Sequence, residues 1–311
     1  METSATVPAT VDRSRGFNVA PFVPVIFVLL WSTGFIASKY GLPYAEPFTY
    51  LSIRFALASV LLLAFALIRR EAWPKSRGEF FHILTSGVLL HGVYLSGVFV
   101  AINLGLPAGI TSLIVNLQPV LTSIFAQMLL KERVISRQWL GLMLGLVGVS
   151  IVVGEKLFAT GAAQDGFPAV ALLPAVIALL GTSFGTIYQK HNNAHMNIAT
   201  GTIIQYMGGG LITVTGALLF ETRDVQWTPS FIFAMGWQVL VLSIGAISLL
   251  MFLIRNNSAS KLSSLFYLVP PLTSLEAFIL FDERLGAVAL VGMVIAVIGV
   301  LLVVRPTASS D

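Results

Sequence analysis

The sequence predicts an all-α integral membrane protein, with ten transmembrane helices arranged as two inverted five-helix repeats. Three observations carry that prediction. Of 311 residues, 56% are hydrophobic and only 10% charged, against roughly 25% charged in soluble domains. Apolar runs of about 20 residues, the length a helix needs to cross a bilayer, recur along nearly the whole chain, and the mean hydropathy is +0.89. The second half of the chain also repeats the first at a constant offset.

The spans fall at 22–40, 48–69, 80–103, 108–130, 136–154, 168–190, 199–219, 231–254, 261–281 and 286–304. Residues 1–21 form a polar tail with Arg13 and Arg15 ahead of the first run. That run is long enough to span and lacks a small-x-small cleavage site, so it is expected to be a retained helix. The link Leu104-Gly105-Leu106-Pro107 is short and weakly polar, but the residue before a proline disfavours helix, which makes it a turn. The repeats are expected over 22–154 and 173–305, with 155–172 connecting them and 306–311 as a short tail.

Lys and Arg set the orientation. With the N-terminus cytoplasmic, that side holds Arg13, Arg15, Arg69, Arg70, Lys75, Arg77, Lys131, Arg133, Arg137, Lys190, Arg255, Lys261 and Arg305. The other side holds Lys39, Lys156, Arg223 and Arg284, and Arg54 lies inside a span. Both termini are therefore expected in the cytoplasm. The pI near 9.5 reflects these loop charges, and no nucleic-acid partner is expected.

Residues 108–154 laid on 259–305 without a gap give 16 identities in 47 positions. Apolar composition alone would match Leu, Val and Ala by chance. It would not bring into register Ser112 with Ser263, Pro119 with Pro270, Glu132-Arg133 with Glu283-Arg284, and Gly148 with Gly299. The same offset carries Ser32 onto Ser183, Gly34 onto Gly185 and Lys39 onto Lys190. Each half holds five spans, an odd number, so the halves enter the membrane in opposite directions. Such inverted repeats build transporters that alternate access around a central site.

At this point the chain resembles a known family. LLWSTGFIASKY in the first span, SIRFALAS in the second, and AGITSLIVNLQPVLTSIFAQMLLKERVISRQWLGLMLGLVGVSIVV across the fourth and fifth are similar to the EamA family of the drug/metabolite transporter superfamily. The resemblance covers 22–305. It implies a ten-helix transporter with a central cavity, often an exporter of amino acids or other metabolites, in a bacterial inner membrane. It does not fix the substrate.

Several residues could carry transport. Pro119 and Pro270 fall at equivalent places in spans four and nine, where a proline removes a backbone hydrogen bond. Matched breaks of this kind point to a hinge or a site. Arg54 is a cation inside a span, which costs about 2.5–3.5 kcal/mol on insertion scales unless it faces a cavity or a partner. Its repeat mate is Gln205, also polar. A substrate carboxylate would suit the guanidinium, although snorkelling to the nearby interface is the plainer reading. Glu276 is the candidate for proton coupling, with an Arg partner or an interfacial position as alternatives. His91 and Tyr94 share one helix face. Trp31, Ser32, Asn116, Gln118, Tyr206 and Tyr267 complete the cavity candidates, each of which would otherwise serve as glue between helices.

The glycines at 141, 145, 148, 292 and 299 form small faces for close helix packing. No G-x-x-x-x-G-K-[ST] or H-E-x-x-H sequence occurs, and cysteine is absent, so no ATPase motor, cofactor or metal site is expected. The chain reads as a secondary transporter or exporter of small metabolites such as amino acids. Nucleotide-sugar or drug transport within the same superfamily is the nearest alternative. An intramembrane enzyme would need a clustered acid/base or metal set that the sequence lacks, and a receptor-like protein would not need matched breaks in an inverted repeat.

Overall fold

The computed structural model describes residues 23–130, 136–157, 167–193, 195–247, 249, 253, 265, 266 and 268–304. Among these the chain is helical: α1 Val23–Gly41, α2 Pro47–Arg69, α3 Arg77–Asn103, α4 Ala108–Val115, α5 Gln118–Leu130, α6 Ser136–Leu157, α7 Leu172–Asn192, α8 Ile198–Phe220, α9 Pro229–Ala246, α10 Val269–Phe281 and α11 Ala287–Val304. One isolated bridge, Ala45 with Val225, is the extent of β pairing among the described residues. Six helical segments are long and apolar enough to cross a membrane, and four shorter apolar stretches accompany them. Large apolar side chains such as Ile68, Leu219, Phe220 and Ile279 point outward. A solvated surface would not tolerate so many, and the molecule is a multi-pass membrane protein.

Local chemistry sets the helix ends. Pro47 opens α2 where no intrahelical donor is needed. Ser76 caps α3 by accepting Glu79 N–H at 3.1 Å, while the Glu79 carboxylate accepts Lys75 N–H at 2.9 Å, a variant of the capping box. The weakly polar link after α3 is a true turn. Gly105 takes φ +94°, and Leu106 N–H reaches back to the Ala101 carbonyl at 3.0 Å, as in a Schellman closure.

Span four is not one helix. It divides at Asn116-Leu117 into α4 and α5, because the Pro119 ring has no N–H and conflicts with the carbonyl four residues back, at Val115. Pro119 thus sits in the first turn of α5. Pro270 likewise sits in the first turn of α10. Neither proline lies in a helix interior.

Both α3 and α9 contain a stretch of wide, π-helical turns, at Val88–Val93 and Trp237–Ala246. Adding 151 to 88–93 gives 239–244, inside the second stretch. Wide turns re-aim side chains and cluster at functional sites.

Two cores form. One gathers α1, α2, α3, α9 and α10, with Tyr50, Phe27, Phe99 and Phe231 fully buried; the other gathers α4, α5, α6, α7 and α11. The α6–α11 contact brings backbone against backbone at its glycines. A Cβ on Gly299 would fall 2.6 Å from the Gly141 carbonyl oxygen, and one on Gly292 would fall 2.7 Å from that of Gly148. Such small-residue seams let helices associate by dispersion alone. Gly299→Val should therefore lower stability by about 1–3 kcal/mol, the usual cost of overpacking, read as a fall in melting temperature in detergent; an unchanged melt would mean the seam yields.

Candidate functional site

A cavity of about 120 Å³ lies between α1, α2, α3, α8 and α9. Its walls are chiefly aromatic and aliphatic: Trp31 and Phe35 from α1, Leu90, Tyr94 and Phe99 from α3, Tyr206 from α8, and Leu242 from α9. Arg54 of α2 enters this lining and is only 8% exposed, so it does not snorkel. Its Nε and Nη2 both approach the Ser243 hydroxyl at 3.4 Å. Tyr94 and Tyr206 share the cavity wall with it. No carboxylate among the described residues pairs with it; the ion pairs are Lys39 with Glu283 and Arg284 with Asp282.

The helices deliver this arrangement through stacked rings and wide turns. Phe55 lies parallel to Tyr206, with centroids 5.2 Å apart and planes at 13°. His91, inside the wide turn of α3, sets its edge against Tyr206 at 4.8 Å and Phe55 at 6.0 Å. In α9 the wide turn lets Ser243 donate to the Gln238 carbonyl at 3.0 Å while its oxygen faces Arg54. Gln238 is fully buried and donates to the Gly34 carbonyl at 3.2 Å and the Ser38 hydroxyl at 3.1 Å, tying α9 to α1.

A second polar locus lies outside the cavity. Ser32 donates to Glu276 Oε1 at 2.7 Å, and the other carboxylate oxygen, Oε2, is buried without a hydrogen-bond partner. A larger cavity, about 720 Å³, runs between α2, α8 and α9, with Glu71 and Asn197 in its lining. It shares Ile247 with the central cavity and touches Ser243.

Of the candidates read from the sequence, Trp31, Arg54, His91, Tyr94 and Tyr206 converge on the cavity. Ser32 belongs to the Glu276 locus. Asn116 bonds the Ser112 carbonyl at 2.7 Å and finishes α4. Gln118 donates to Thr186 at 2.9 Å, joining α5 to α7. Gln205 donates to Ser86 at 3.0 Å and Gln189 at 3.1 Å, joining α8 to α3 and α7. Tyr267 lies outside the described residues. Gln238 and Ser243 escaped the sequence reading, although a glutamine inside an apolar run is the same signal that singled out Gln205.

Comparison with known proteins agrees with this architecture. The profile of the EamA-like transporter family matches residues 20–154 and again 169–305. The chain belongs to that family, and it is a transporter rather than an enzyme. It is 27% identical to the uncharacterized inner membrane transporter YedA of Escherichia coli (strain K12), over 92% of this chain and 91% of that one. It is 26% identical to the uncharacterized transporter YvbV of Bacillus subtilis (strain 168), over 89% and 88%. A probable amino-acid metabolite efflux pump of Escherichia coli (strain K12) is 25% identical over 89% and 92%. One solved crystal structure shares the fold with a TM-score of 0.59 at 21% identity, covering 90% of this chain and 94% of its own.

Gln205 holds three helices together from outside the cavity. Gln205→Leu should cost about 1–3 kcal/mol by leaving buried polar partners unmet, seen as a lower melting temperature. Ligand affinity in the cavity should hold, and a loss of affinity without destabilisation would instead give Gln205 a binding role.

Proposed function

We propose that the protein is a secondary transporter that exports small carboxylate-bearing metabolites by alternating access around the Arg54 cavity. One observation carries this reading: a guanidinium buried at membrane depth, facing a cavity, with no carboxylate partner among the described residues. A buried charge needs a counter-charge, and a substrate carboxylate supplies one. The name of the E. coli efflux pump favours amino acids and related metabolites as cargo. A cavity of about 120 Å³ is far smaller than a nucleotide sugar, which weighs against that alternative.

Alternating access rests on ten spans in two inverted halves, 22–154 and 173–305. Matched wide turns in α3 and α9 support it, as does the pairing of Phe55 with Tyr206, since 55 plus 151 is 206. The prolines beginning α5 and α10 are the proposed hinges. Lys39 and Glu283 join the end of α1 to the end of α10 and hold that end of the cavity shut, while the larger cavity gives a path from the other. The Lys and Arg bias makes the Lys39 end periplasmic and both termini cytoplasmic, in an inner membrane. Glu276, with one oxygen unpartnered, is the proposed proton-coupling group.

Arg54→Gln should weaken carboxylate binding about 10- to 150-fold, the worth of a hydrogen bond to a charged group. Ligand-induced thermal stabilisation reads this directly, and full affinity in a folded variant would remove Arg54 from the site. Glu276→Gln should abolish the response of flux to a pH gradient in proteoliposomes while substrate exchange at equilibrium continues. Retained gradient-driven flux would place coupling elsewhere.

A further inference from the structure

Resting on the reading of Arg54 as the substrate anchor, we infer that the cavity prefers small apolar monocarboxylates, such as 2-oxo and aryl acids, to the zwitterionic amino acids with the same side chain. Charge balance is the reason. Arg54 is the one formally charged group lining the central cavity among the described residues. A carboxylate neutralises it and leaves the site with no net charge. An amino acid brings an ammonium a few ångströms from its own carboxylate, and that cation then needs an anion of its own in a dry site.

No such anion is at hand. Among the described residues the cavity lining holds no Asp or Glu. Glu276, with Ser32 on one oxygen and the other unpartnered, lies outside the cavity lining, Glu283 is paired with Lys39, and Glu71 accepts from Asn197 at 2.7 Å in the larger cavity. One buried acceptor on the wall lacks a partner, the Gln238 side-chain oxygen, but it is neutral and sealed from solvent. The faces of Trp31 and Tyr94 offer cation–π contact, weaker than the hydration an ammonium gives up, and Arg54 repels the same cation.

Size agrees with one ring or one branched chain. The volume, about 120 Å³, is close to the ~150 Å³ of an apolar cavity that admits benzene. A carboxylate on Arg54 would leave its apolar body among Trp31, Tyr94, Phe99 and Tyr206.

Matched pairs test this on the full-length protein in proteoliposomes: phenylpyruvate against phenylalanine, 4-methyl-2-oxopentanoate against leucine, with phenethylamine as the cation. Each oxo acid should saturate flux at a concentration at least ~10-fold below that of its amino acid. The preference should vanish in Arg54→Gln. Should that variant fail to fold, Arg54→Lys, which keeps the charge but not the planar fork, should bind more weakly and keep the preference. Equal or better transport of phenylalanine and leucine would overturn the inference and leave the transporter reading standing. Preference for phenethylamine, unaffected by Arg54→Gln, would overturn both, and no saturable flux of any acid would overturn the inference.

Discussion

The middle of the molecule is organised by the burial of one positive charge in a medium that does not hydrate it. Arg54 is held by what surrounds it: a serine hydroxyl at 3.4 Å, the rings of Tyr94 and Tyr206 in the same cavity wall and a void. An arginine on a lipid-facing surface would be expelled to the interface. Here α2 is walled by α3, α8 and α9, so the side chain cannot reach the headgroups, and the wide turn in α9 brings Ser243 to meet it. The aromatic layer of Phe55, Tyr206 and His91 closes the space around the guanidinium without offering an anion. The cavity, the stacked rings and the unusual turns are one solution to a single solvation problem.

The two halves meet differently at their centre and at their edge. At the centre, α2 and α8 present aromatic faces to each other, and their neighbours add a polar network through Gln205, Ser86 and Gln189. At the edge, α6 and α11 touch through glycine backbone, with Ala289 N–H donating to the Glu155 carboxylate near one end of the seam. Lipid gives apolar helices no drive to associate beyond packing. The glycines therefore gain contact area by bringing the backbones together, whereas the centre gains specificity from ring geometry and directed hydrogen bonds.

Much of the fold was legible because bilayer thickness and backbone satisfaction leave few alternatives. The apolar runs located the helices, and Gly105-Leu106-Pro107 marked a turn that composition alone would have hidden. Arg54 stood out because an intramembrane cation always demands an explanation. The direction each polar side chain takes was not legible. Asn116 and Gln118 looked alike in sequence, yet one finishes a helix and the other bridges to α7. Ser243 reaches Arg54 through a turn with an extra residue, which shifts every later side chain off the 3.6-residue rhythm on which a sequence reading relies. Pro119 was visible, but the break it causes lies upstream, at the carbonyl its ring cannot accommodate.

The capping contacts around α2 and α8 lead somewhere else. Glu221, just beyond α8, accepts the first N–H groups of α2 from Phe48 and Thr49, each at 2.7 Å, while Glu46 accepts Thr222 N–H at 2.8 Å. At the opposite end Asn197 donates to Glu71 at 2.7 Å, and Thr200 donates to the Ala72 carbonyl at the same distance. Two rods stapled at both tips cannot spread like scissors at either one. They form a keel, and Arg54 is bolted to it. Any passage that opens along this pair must open on its flanks, past a guanidinium that stays fixed to the keel.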